Sequence, residues 1–394
     1  MSAIKRVSAR NFRCVKEAGL DFGPITVLFG PNGAGKSTWV DIVWFIRDCC
    51  IRGFSEASAD RSHGIGMLWS KAVQGDRIRL EVETESLRYA LEMGFSDGRL
   101  DPLPEENLIE IPSGIVLFSR MIGSRSFLSG DSLKVEVGII ETDKPALNQY
   151  LAQNQDIAGA RDLDHLLRHI RFYDSRSAAL FELRRHGSES DFRTVLWSPR
   201  GQNLWSVLRN LNDKRLFDER YATIRGYMKR AFPDFVDIVV ETTGPQSVYG
   251  SFILRDALAP VMASGVSTGH LQMLLHLTSL FSDSPGYEPM ILLDEPENSL
   301  HPHAIAVLAS AIREATQTGK RQVVIATHSP VLLSQFSARE IVAVEKNANG
   351  ATVLRKVSDM PGMEKLLEEY AVGSLYMAEA LAPQENMAGE FERA

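Results

Sequence analysis

Apolar and polar positions alternate at the start of the chain in RVSARNFR (Arg6–Arg13), and the apolar run ITVLF (Ile25–Phe29) leads directly into glycine. Both patterns predict strands, because successive strand side chains point to opposite faces. From Ser37 to about Phe54, Val40, Val43, Trp44 and Ile46 recur at helical spacing. RIRLEVET (Arg77–Thr84) and LRYALEMGF (Leu87–Phe95) alternate across a polar turn and predict an antiparallel hairpin. The stretch 97–113, rich in proline and acid, reads as loop, and two strand-like pieces follow, GIVLFSR (Gly114–Arg120) and KVEVGIIE (Lys134–Glu141). Between Pro145 and Phe232 the spacing is mostly helical, as in LDHLLRHIRF (Leu163–Phe172) and NLWSVLRNL (Asn203–Leu211). Strands return at FVDIVVET (Phe235–Thr242) and YGSFILRD (Tyr249–Asp256). From Ser267 onward helix and strand alternate, the order of a parallel α/β sheet. The expected architecture is α/β, with a mixed sheet, an antiparallel β subdomain and an inserted mainly helical lobe. The expected division is 1–113, 114–260 and 261–394.

Composition narrows the class. Lys and Arg number 43 against 50 Asp and Glu, a formal charge of −7, and 44% of residues are hydrophobic, as in an ordinary folded chain. The longest apolar runs, such as PMILLD and QVVIAT, reach only about six residues, far short of the roughly 20 a membrane helix needs. The basic N-terminus lacks the apolar core of a secretory signal. Three cysteines, Cys14, Cys49 and Cys50, cannot build a disulfide framework. The expectation is a reduced, cytoplasmic protein with no membrane partner.

Charge is unevenly spread. Residues 161–230 carry 15 basic and 9 acidic side chains, a local balance of +6 that leaves −13 for the remainder. Lys5, Arg6, Arg10, Arg13 and Lys16 all precede the first acid, Glu17. These residues are either solvated faces or a surface for a polyanion such as DNA, with Arg184 and Arg185 as candidate contacts.

The chemistry concentrates at strand ends. GPNGAGKST (Gly30–Thr38) fits G-x-x-x-x-G-K-[ST] between an apolar strand and a helix. Gly30, Gly33 and Gly35, with Pro31, Asn32 and Ala34 between them, let the loop curl until backbone N–H groups converge on phosphate oxygens. The helix start adds its positive dipole end. Lys36 is placed for the β- and γ-phosphates of ATP and the Ser37 hydroxyl for Mg²⁺, with Thr38 completing the motif. In PMILLDEPENSLHPH an apolar strand ends in Asp294 and Glu295. Alone, such carboxylates would be exposed surface; beside a phosphate loop, Asp294 suits the Mg²⁺ shell and Glu295 a general base for water. RQVVIATHSP ends in Thr327 and His328, which makes His328 a candidate γ-phosphate contact. In SGVSTGHLQMLLHL, Ser267 is at least a helix cap, with Gly269 just inside the helix. His165 and His169 have the spacing of a metal pair but no third ligand, so no metal besides Mg²⁺ is expected.

This order of glycine-rich loop, Ser-x-Gly helix start, Asp-Glu strand end and His strand end resembles the ATP-binding cassette (ABC) ATPases. NFR, ITVLFGPNGAGKST, DEPENSLHPH and ATHSP resemble their RecF/SMC/OLD branch. GQNLWSVLRNL, IRGYMKRAFPDF and EEYAVGSLYMAEAL are similar to its small AAA_21-type members. The likeness is strongest over 1–45 and 260–345. It implies an ABC-type P-loop ATPase head that hydrolyses ATP and forms a head-to-tail homodimer on two ATPs. Ser267 and Gly269 would then contact the γ-phosphate held by the opposite protomer. Val266 and His270 depart from the usual Leu-Ser-x-Gly-x signature. The family's Mg²⁺-contacting glutamine does not align, leaving Gln74, Gln149, Gln153 and Gln155 open. Coiled-coil arms are not expected, nor is a C-terminal Toprim nuclease, since 38 residues follow Lys356. The resemblance also implies a bacterial switch for a separate effector, a nuclease or toxin, in phage defence or toxin–antitoxin function. The alternative is a RecF-like clamp on double-stranded DNA. A transporter motor fits the DEPENSLHPH form poorly.

Overall fold

The computed structural model describes residues 3–61, 64–96, 98–129, 133–153, 158–174, 179–198, 201–283, 289–317, 321–361, 363, 366, 370–378 and 381. The central sheet has six strands in the order Arg171–Asp174, Met290–Asp294, Gln322–Thr327, Ile25–Phe29, Ile341–Lys346 and Thr352–Lys356. The first five run parallel and the last closes the edge antiparallel. Its inner strands are covered on both faces, which is why they read as unbroken apolar runs rather than alternating ones. Successive residues feed two cores. Met290 and Leu292 join one with Trp39, Val43 and Phe45 of the helix Lys36–Arg52. Ile291 and Leu293 join the other with Leu271 and Leu274 of the helix Thr268–Phe281. The parallel register pairs Phe29 with Thr327 and Asp294 with Ala326. Phosphate loop, carboxylates and histidine therefore leave the sheet at one edge, where α/β sheets place ligands.

A second, eight-stranded antiparallel sheet shares the first of these cores. It runs Val135–Gly138, Ser126–Ser129, Val116–Arg120, Glu105–Glu110, Leu87–Met93, Ile78–Glu83, Arg6–Phe12 and Val15–Asp21. The expected hairpin lies inside it. The expected loop 97–113 does not hold, because Glu105–Glu110 is an inner strand. Its inward position carries Glu106, fully buried, which accepts from Arg120 Nη1 at 2.8 Å, Tyr89 Oη at 2.7 Å and Ala146 N at 2.9 Å. Burial pushes this carboxyl upward while Arg120 opposes the rise. A division at 113/114 falls between two hydrogen-bonded strands of this sheet.

The expected helical stretch 145–232 also contains a strand. Helix Ala158–Arg168 ends with the His169 ring hydrogen-bonded to the His165 carbonyl at 2.6 Å. Arg171–Asp174 then pairs in parallel with Ile291–Asp294. Arg171 fixes this edge through Asp283 at 2.6 Å, and the same buried carboxylate takes Arg321 at 3.0 Å. The helices Leu204–Asp213 and Arg220–Ala231 share the second core with the helix Thr268–Phe281 and with the hairpin Phe235–Gly244/Ser247–Leu254. Among the described residues, no helix is long and apolar enough to cross a membrane.

Candidate functional site

Gly30 has φ +150°, and a Cβ there would lie 2.1 Å from the Val344 carbonyl oxygen, so only glycine lets the loop leave its strand. Gly35 has φ +115°, and its Cβ would lie 2.5 Å from Thr352 Oγ1. Thr352, on the edge strand, buttresses the loop by donating from Oγ1 to the Ala34 carbonyl at 2.8 Å. Within this curl Lys36 is buried, and its ammonium donates to the carbonyls of Gly30 at 2.8 Å and Pro31 at 2.9 Å. It also lies 3.3 Å from His328 Nδ1. The other ring nitrogen, His328 Nε2, is 3.3 Å from Glu295 Oε1. Asn298 Nδ2 donates to Glu295 Oε2 at 2.9 Å. Loop cation, histidine and carboxylate therefore form one continuous chain of contacts.

Glu295 adopts φ +51° and Ser299 φ +64°, left-handed conformations that are uncommon outside glycine and are worth noting at a turn bearing a carboxylate. The turn is held by the Glu295 N–H on the Ala326 carbonyl at 2.8 Å. Glu297 supports it from below. Its Oε1 accepts from Thr327 Oγ1 at 2.5 Å and from the His328 N–H at 3.2 Å, and burial raises its pKa. Ser37 Oγ donates to Asp294 Oδ1 at 3.2 Å. Two hard oxygen donors from adjacent elements suit Mg²⁺, which prefers one or two protein oxygens and completes its shell with phosphate and water. Among the described residues no cluster of three or more His, Cys, Asp or Glu side chains forms a metal site.

Loop residues from Asn32 to Thr38, together with Glu295 and His328, line a cavity of about 180 Å³. Ser267 and Gly269 do not line it. Ser267 is the exposed N-cap of its helix, accepting from the His270 N–H at 3.3 Å. Its hydroxyl also meets His270 Nδ1 at 2.7 Å, while the His270 ring stacks on Phe232. Gly269 packs so closely on the Glu295 turn that a Cβ would lie 2.5 Å from the Ser299 carbonyl oxygen. Arg184 donates from Nη2 to the Val266 carbonyl at 2.7 Å and to Thr268 Oγ1 at 3.3 Å. It is a brace for the signature turn, not the free surface cation its charge suggested. Of the four open glutamines, Gln149 clips its own loop through Gly138 and Ile140, and neither Gln74 nor Gln153 lines the cavity. Gln155 lies outside the described residues. Asn298, Glu297 and Thr352 were not anticipated, nor was the bracing role of Arg184. The first two sit inside DEPENSLHPH, whereas nothing local to Arg184 or Thr352 signals their role.

Several known proteins are similar to this chain. A family model described as "AAA domain, putative AbiEii toxin, Type IV TA system" matches residues 160–334, and a second AAA-domain model matches residues 6–99. The Old nuclease of Escherichia phage P2 is 23% identical over 415 aligned positions, covering 93% of this chain. The OLD nuclease of Thermus scotoductus is 21% identical over 396 positions, covering 95% of this chain. The chain spans 62% of the length of the phage protein and 68% of the Thermus protein. An SMC head, crystallised with the C-winged helix domain of ScpA, superposes with a TM-score of 0.53 at 13% identity, covering 89% of this chain and 96% of that one. With the phosphate loop, Asp-Glu turn and histidine converging at one sheet edge, the chain is similar to the ABC-type ATPases of the RecF/SMC/OLD branch.

Proposed function

We propose that this ATPase is a switch: two copies close on two ATPs, hydrolysis through Glu295 reopens them, and the cycle governs a separate nuclease or toxin in bacterial defence. The contact chain Lys36–His328–Glu295–Asn298 carries this reading. In it Lys36 holds the β- and γ-phosphates, and Asn298 orients the Glu295 carboxylate that takes a proton from water. His328, touching both Lys36 and Glu295, ties the base to the phosphate cradle. Ser37 and Asp294 would hold Mg²⁺, which when bound neutralises charge on the β- and γ-oxygens. Ser267 and Gly269, outside the cavity, are left to serve the other protomer's γ-phosphate. The nuclease named in the phage P2 and Thermus relatives supports an effector of that chemistry.

A double-stranded DNA clamp is the second reading, favoured by the +6 balance of residues 161–230. Ion pairing weakens it, because Arg168, Arg193 and Arg220 are each bound to an aspartate of the same region, and Arg225 is bound to Asp237 just beyond it. Steady-state ATP hydrolysis with and without duplex DNA separates the readings: strong stimulation favours the clamp, and none favours the switch. Glu295→Gln should slow hydrolysis by roughly 10²–10⁴ while ATP still binds. A variant that hydrolyses at the parental rate would remove Glu295 as the base.

A further inference from the structure

A second cavity, larger than the ATP site and sharing no residue with it, opens at the other end of the same elements. It encloses about 750 Å³, within the usual range of small-molecule sites. Arg47 comes from the phosphate-loop helix, Arg171 from the start of the strand beside Met290–Asp294, and Arg193 and Lys214 from the basic region 161–230. Arg168 adds a fifth cation, and among the described residues no carboxylate lines the cavity. Four of these arginines pair with aspartates that stand outside the lining: Asp48 at 2.9 Å, Asp164 at 2.8 Å, Asp283 at 2.6 Å and Asp191 at 3.4 Å. Their guanidinium planes are thereby fixed in place, and part of their charge is already balanced, so the cleft is polar and oriented rather than a bare positive field.

Its apolar component is as specific. Phe192 is 87% exposed and Trp197 49% exposed, both on the cavity wall. Arg193 lies over the Trp197 ring, 5.2 Å from its centroid. Exposed aromatic faces alternating with guanidinium planes are the chemistry that holds an unstacked base together with its phosphate. A duplex presents phosphates and base edges but keeps the base faces stacked inside, and leaves such aromatic faces unused.

From this cleft we infer a second nucleotide-binding site, which takes a base with its phosphate either as a free nucleotide or as a unit of a single strand. Trp197 supplies the stacking face and Arg193 the guanidinium beside it. The strand that begins at Arg171 ends at Asp174, paired with Asp294, so one short element connects this cleft to the ATP site.

The test is fluorescence anisotropy of a labelled short oligothymidylate with the full-length chain in the absence of ATP. Affinity should fall with salt, and weaken roughly five-fold or more in Trp197→Ala and in Arg193→Gln, the low end of what one stacked base contributes. Trp197→Phe should retain binding. MgATP affinity by calorimetry and the thermal midpoint should match the parent in all three variants, so failure here is separable from failure at the phosphate loop. Displacement by millimolar thymidine monophosphate identifies a free nucleotide as the source, whereas displacement only by unlabelled strand identifies nucleic acid. Parental affinity in both Trp197→Ala and Arg193→Gln overturns the inference. So does equal competition by a duplex, or no binding of either probe.

Discussion

Lowering the pH from 7 to 5 should destabilise this protein through one side chain beneath the Glu295 turn. His276, on the signature helix, is fully buried, with its Nε2 2.8 Å from Gln272 Nε2. Burial lowers its pKa from 6.5 to about 4, and the Pro296 carbonyl, next to Glu295, opposes the shift only in part. The unfolded chain takes up this proton near the ordinary histidine value, whereas the folded chain refuses it until about pH 4. Stability from this residue is therefore complete above pH 6.5 and is lost as pH falls toward 4. At about 1.4 kcal/mol per pKa unit, some 1.5 units lie between the unfolded value and pH 5, a loss of about 2 kcal/mol. Urea denaturation of the parent and of His276→Gln at both pH values measures it. The buried carboxyls are common to both chains, so their contribution cancels. The parent should lose about 2 kcal/mol more than the variant. Equal losses, or a His276 ring that titrates near 6.5 by NMR, would refute the reasoning.

Two further outcomes follow from the geometry. Lys36→Ala removes the cation held over Gly30 and Pro31, and calorimetric titration with MgATP should show nucleotide binding lost; unchanged affinity would mean the loop is not the phosphate cradle. Glu106→Ala leaves the fully buried Arg120 uncompensated, so unfolding free energy should fall by about 3–5 kcal/mol in urea titration, while Glu106→Gln should cost less.

The strings that the sheet brings together were more legible than the strands around them. A phosphate loop, an Asp-Glu strand end and a His strand end are local strings, and a parallel sheet brings strand ends together whatever lies between them. What escaped depends on distant partners. Glu105–Glu110 looked like loop because an inward position is an acid, and the distant donors Arg120, Tyr89 and Ala146 make a buried Glu106 tolerable. Arg171–Asp174 was hidden in a helical run because four residues are too few for periodicity to speak. Its ion pair with Asp283 lies more than a hundred positions away. Arg184 looked like surface charge until the fold placed Val266 within its reach. Charge counting pointed to 161–230 without showing its arrangement: Arg168, Arg171 and Arg193, each paired with an aspartate, line one cleft.

The central claim is that the signature turn works on the opposite protomer, and one measurement reaches it directly. Glu295→Gln should bind ATP without turning it over, and light scattering should then show an ATP-dependent dimer that persists. Ser267→Arg in the same chain adds bulk and charge at an exposed helix cap outside the ATP cavity, leaving Lys36 and its loop intact. The account predicts that the double variant still binds ATP and stays monomeric. A double variant that dimerises with ATP as readily as Glu295→Gln alone would contradict it.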